Sequence, residues 1–121
     1  MNDDRKIDLK EEHTKLLLSL LDQYLPDTEV WAYGSRVKGT AKPYSDLDLV
    51  AFMNKDQELA LFDLKEALED SSLPFRIDIF AWNDIPEQFK KNIEKEHVVL
   101  KETEEVKKAI YGGTELQLRD Y

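Results

Sequence analysis

Asp46-Leu47-Asp48-Leu49-Val50-Ala51-Phe52 opens on two carboxylates and closes as an unbroken apolar run. A short run of this kind is expected of a central strand, with its first residues emerging at an edge of the core. Successive side chains of a strand point to opposite faces, so Asp46 and Asp48 share one face while Leu47 and Leu49 enter the other. Two carboxylates on one face repel, and the pair is costly there unless a cation lies between them. A hard divalent ion such as Mg²⁺ takes carboxylate oxygens, so the spacing points to metal binding.

Upstream, Glu29 to Tyr33 is rich in β-branched and aromatic residues and stops at Gly34, which predicts a short buried strand. Before it, Leu9, His13, Leu16, Leu17, Leu20, Leu21 and Tyr24 fall at helical spacing on one stripe, ended by Pro26. Between the two strands, Ser35 to Tyr44 is polar, with Gly39 and Pro43 as breakers.

Downstream, Gln57 to Glu69 places Ala60, Leu61, Leu64, Ala67 and Leu68 on one helical face. Phe75 to Trp82 alternates as a third strand, and Asp84 with Glu87 resembles a capping box around Pro86, opening a helix through Ile93. His97 to Leu100 extends as an edge strand, and Thr103 to Tyr111 forms a last helix before Gly112 and Gly113. This order predicts an α+β (α/β-like) fold, a small mixed sheet with helices packed mainly on one face. One domain covers residues 1–121, with a core over about 9–100 and a C-terminal extension over 101–121.

Of the 121 residues, 41% are hydrophobic and 36% charged, enough for a single core with solvated helix faces. Seventeen basic residues against 26 acidic ones give a net charge of −9, which argues against sequence-independent nucleic-acid binding and against adsorption to anionic lipid. The absence of cysteine excludes disulfides, a thiolate nucleophile and a cysteine-ligated zinc. Met1 to Lys10 is polar and no window approaches the ~18 apolar residues of a membrane span, so a cytoplasmic protein is expected.

Asp78 alternates with Ile77 and Ile79 in the third strand. If that strand neighbours the one opened by Asp46, three acids converge, a set suited to two metal ions roughly 3.5–4 Å apart in phosphoryl or nucleotidyl transfer. Asp78 could also accept the proton of the nucleophile. Gly34-Ser35 follows a strand and precedes a helical turn, where glycine permits close backbone approach and N–H groups can face an anion. From Val30 to Ser45 the only charges are Arg36, Lys38 and Lys42, a basic island suited to a polyphosphate.

Other residues read more plainly. Trp31, Tyr33, Phe75, Phe80 and Trp82 are expected in the sheet core, His13 in packing and His97 at a helix end. Tyr44 is placed at the mouth of the site, Glu102 to Glu105 forms a solvated face, and Tyr111 to Tyr121 offers a docking strip.

Gly34-Ser35-Arg36, a spacer of ten residues, Ser45-Asp46-Leu47-Asp48-Leu49 and the later Asp78 resemble the nucleotidyltransferase superfamily related to DNA polymerase β. They look most like its smallest branch, the minimal nucleotidyltransferases paired with HEPN-domain proteins in toxin–antitoxin modules. The resemblance implies that Asp46 and Asp48 hold Mg²⁺, that Asp78 is the third acid, and that Gly34, Ser35 and Arg36, with Lys38 and Ser45, bind the nucleotide. It further implies transfer of AMP from ATP to a tyrosine of a HEPN toxin, within a hetero-oligomer. Two rivals fit the same residues: an antitoxin acting by occlusion without turnover, and a free-standing enzyme acting on a small molecule, for which the chain lacks a substrate domain.

Overall fold

The computed structural model describes residues 7–42 and 45–103. Helix α1 (Glu11–Tyr24) presents Leu17 and Leu21 inward and ends before Pro26, which cannot continue the helical ladder. Strand β1 (Glu29–Tyr33) runs as the sequence predicts and is followed by the one-turn helix α2 (Ser35–Lys38). After the polar loop come β2 (Leu47–Phe52), α3 (Glu58–Asp70), β3 (Ile77–Ala81), α4 (Glu87–Lys95) and β4 (Val98–Lys101). Of the expected last helix only Thr103 is described, and it is not helical; the rest of that helix, the docking strip over Tyr111 to Tyr121 and Tyr44 lie outside the described residues.

The four strands lie in the order β3-β2-β1-β4. Strand β2 pairs antiparallel with β1 and parallel with β3, and β1 pairs antiparallel with β4, so the sheet is mixed as expected. On one face, Leu17 and Leu21 of α1 and Leu61, Leu64 and Leu68 of α3 close over Val30, Ala32, Leu47, Leu49, Ala51 and Ile79. Each fully buried Leu, Ile or Val among them contributes about 1.5–3 kcal/mol relative to exposure. Val50 is equally buried from the other side, which makes β2 a strand buried on both faces.

The second face is covered only in part, by α4 and the turn before it. There Trp31 stacks on His97 with ring centroids 3.8 Å apart and meets Trp82 and Phe52 edge-on. His97 Nδ1 lies 2.9 Å from the Ile93 carbonyl oxygen near the end of α4, the helix-end contact expected of it, and His13 packs edge-on against Phe75.

Two expectations need correction. Asp84 caps no helix: it closes a 3₁₀ turn over Trp82–Asp84, and Pro86 stands directly before α4 with no side-chain cap. The capping interaction forms instead at Asn54, whose N–H donates to Gln57 Oε1 at 2.8 Å, while Gln57 Nε2 reaches Thr28 Oγ1 at 2.9 Å. Phe80 is not core; it is 43% exposed on the partly covered face, where it lines a cleft with Ile85, Pro86 and Phe89.

Candidate active site

The register across the sheet builds the site. Tyr33 at the end of β1 pairs with Asp48, and Asp48 pairs with Asp78 of β3. Paired residues of neighbouring strands point to the same face, so one phenol and two carboxylates form a row across three strands. The Leu47 N–H donates to the Arg76 carbonyl oxygen at 2.9 Å, which fixes where β3 begins relative to β2. Asp46 is exposed and stands one residue before β2 rather than within it.

Negative charge on this row is compensated only at its Asp78 end, among the described residues. Burial, followed by the negative charges of Asp78 and Asp46, raises the Asp48 carboxyl above its ordinary value. Tyr33 is pushed up to about 12 by burial and by the charges of Asp48 and Asp78, so its hydroxyl stays protonated at neutral pH. Asp78 has one cationic contact, from Arg76 Nε to its Oδ1 at 3.0 Å, and the Arg76 side chain is 75% exposed. An exposed pair of this kind is weak, so Asp78 is easily released to another partner.

Gly34 turns the chain from β1 into α2 with φ 88° and ψ −158°. A Cβ at this position would lie 2.6 Å from Asp48 Oδ2, so only glycine lets the turn close on the carboxylate. Ser35 starts α2, and Lys38 at its end lines the same cleft as Gly34 and Asp48. Ser45 Oγ accepts from the Lys42 N–H at 2.8 Å and so shapes the loop that returns to Asp46.

Arg36, expected from the resemblance at the nucleotide, is buried at the base of the loop between Gly34 and Asp46. It is 6% exposed, its Nε donates to the Ser45 carbonyl oxygen at 3.0 Å, its Nη1 donates to the Asp8 carbonyl oxygen at 2.8 Å, and its guanidinium lies 4.2 Å from the Phe75 ring centroid. Planar donors in a fixed fork suit such a clamp. It ties the turn after Gly34 to the residue before Asp46, joining the two halves of the acidic site.

A cleft of about 560 Å³ opens at the Tyr33–Asp48 end of the row, while Asp78 lines a separate groove. Gly34, Lys38 and Asp48 form its polar end, and Phe80, Ile85, Pro86 and Phe89 its apolar wall. Among the described residues no three acidic or histidine side chains are drawn together into a ready metal cage. The donor chemistry nevertheless fits a hard divalent cation: carboxylate oxygens alone, in a mutual repulsion that raises Asp48. The sequence reading missed Tyr33, Phe89 and Arg76. Tyr33 was accessible to it, since it precedes Gly34 and shares a face with whatever pairs beside it.

The family model described as polymerase beta, nucleotidyltransferase matches residues 15–106, a span that begins within α1, runs through β4 and includes every acid of the row. The chain belongs to this nucleotidyltransferase family. It is 43% identical over 100 residues to the probable protein adenylyltransferase MntA of Haemophilus influenzae (strain ATCC 51907 / DSM 11121 / KW20 / Rd), covering 82% of this chain and 88% of that one. Two solved structures share the fold. A toxin–antitoxin with AMP-PNP superposes with TM-score 0.61 at 18% identity, over 83% of this chain and 80% of that one. A mutant of the toxin–antitoxin MntA–HpeT gives 0.60 at 16% identity, over 79% and 78%.

No described helix of this nucleotidyltransferase is long and apolar enough to cross a membrane.

Proposed function

We propose that the chain is a Mg²⁺-dependent protein adenylyltransferase that moves AMP from ATP to a tyrosine hydroxyl of a HEPN-domain toxin in the cytoplasm, and so acts as its antitoxin. The observation that carries this reading is the Tyr33–Asp48–Asp78 row closed by Gly34, in a chain 43% identical to a probable protein adenylyltransferase. The likeness to toxin–antitoxin structures supports the partner class.

Asp46, Asp48 and Asp78 would hold the Mg²⁺, which when bound supplies positive charge against the triphosphate. Ser35, the Gly34 backbone and Lys38 bind the β- and γ-phosphates, while Arg36 and Ser45 contribute by holding the loop. Tyr33 stays protonated beside the two carboxylates, so the row carries no third negative charge. The acceptor oxygen forms its bond to the α-phosphorus as the bond to the bridging oxygen breaks; pyrophosphate leaves with that electron pair, and the acceptor proton passes to Asp78.

Incubation with Mg²⁺, each α-³²P nucleoside triphosphate and co-purifying protein tests this. One labelled band, with ATP and not with Asp48→Asn, is expected. Retained labelling in that variant refutes the assignment, and a neutralised but unlabelled partner favours occlusion.

A further inference from the structure

Strand β3 ends the sheet and pairs only with β2 among the described residues, so one of its edges is open. The Arg76 carbonyl accepts from Leu47, and backbone groups alternate sides along a strand, so the N–H and C=O of Ile77 and Ile79 point to the open edge. A groove of about 820 Å³ follows this edge. Lys65, Leu68 and Glu69 of α3 form its far wall with Leu73, and Asp78 and Phe80 its near wall. Asp78 thus faces both the acidic row and the groove.

In-line transfer requires the acceptor to approach opposite the leaving pyrophosphate. The phosphate-binding turn at Gly34 stands on the β1 side of Asp48, and Asp78 stands on the other side. The acceptor therefore arrives over β3. We propose that it docks as an extended segment of the partner protein, added as a fifth strand along the β3 edge, with its hydroxyl residue beside Asp78. This rests on the adenylyl-transfer reading and says how that site reads its acceptor.

An added strand lies about 4.8 Å from β3 and pairs with its free amides, the recurring mode of strand addition. Side chains of the segment that share the Asp78 face reach the reaction centre. Their immediate neighbours turn towards α3, where Leu68 and Leu73 offer apolar contact and Lys65 and Glu69 charged contact. The acceptor residue is accordingly flanked by apolar residues on both sides.

The test uses the full chain, Mg²⁺, labelled ATP and an array of short synthetic peptides, each with a central tyrosine and varied flanks, beside host lysate. For a labelled peptide, N-methylation of amides on one alternating set lowers labelling roughly tenfold, the effect of one lost hydrogen bond, and on the other set leaves it unchanged. Lys65→Glu and Glu69→Arg raise the peptide KM while the Kd for ATP stays as in the wild type. Equal sensitivity of both N-methyl sets, or labelling of folded lysate proteins with no peptide labelled, overturns the docking mode and leaves adenylyl transfer standing. No labelled product from peptides or lysate overturns both.

Discussion

Gly34 lies so close to Asp48 that a single added methyl group would come 2.6 Å from the carboxylate Oδ2. Two constraints meet at this position: the contact, and a φ of 88° with ψ of −158°, a region that only glycine populates freely. Gly34→Ala is therefore expected to cost about 1–3 kcal/mol of stability through the backbone alone. It should also displace Asp48 and lower transfer by about a hundredfold or more. Urea unfolding and label transfer read the two effects separately.

Asp48→Asn should abolish transfer and yet stabilise the metal-free fold at neutral pH. The Asp48 carboxyl is raised from an ordinary value of 3.8 by burial and by Asp78 and Asp46. The unfolded chain loses this proton at lower pH than the folded chain, so stability falls as pH rises through that interval and stays lowered above it. The gain in melting temperature on substitution should be present at pH 7 and vanish below about pH 3, under both values. Added Mg²⁺ should raise the melting temperature of the wild type more than that of the variant. A variant that melts lower than wild type at pH 7 contradicts the repulsion described for the row.

Arg36→Ala removes two charge-assisted hydrogen bonds and a stacked aromatic contact from a buried position. A loss of about 3 kcal/mol is expected, with Arg36→Lys intermediate because a lysine lacks the planar fork. Since the guanidinium faces Ser45 and Asp8, both variants should weaken Mg²⁺ dependence as well as ATP binding. A change confined to the KM for ATP would place Arg36 at the phosphates instead.

Tyr33 should titrate well above the ordinary tyrosine value of 10.0. Burial and the two neighbouring carboxylates hold it at about 12. The absorbance difference between wild type and Tyr33→Phe should show no phenolate below about pH 11. In Asp48→Asn the same step should move down, because one of the raising charges is gone.

Much of the fold was legible because hydrophobic spacing is a local signal. Strand β1 was readable from β-branched and aromatic residues ending at Gly34, and α1 and α3 from stripes that repeat every three or four positions. Phe80 was misread because alternation says which face a side chain occupies and not whether anything covers that face. Asp84 was misread because its spacing to Glu87 fits a cap, while Pro86 and the 3₁₀ turn leave it off the helix end.

The sequence by itself determined which side chains the candidate site draws on: carboxylates two apart at the head of an apolar strand, a third acid alternating with isoleucines, and a glycine where the chain turns back. Those facts lie within single elements, where backbone periodicity fixes direction. Only the tertiary structure decided that Asp48 pairs with Tyr33 on one side and Asp78 on the other, that Arg36 clamps the loop before Asp46, and that β3 pairs with no second strand among the described residues. Strand order and register arise from contacts between segments far apart in the chain, and no local spacing encodes which strand is the neighbour.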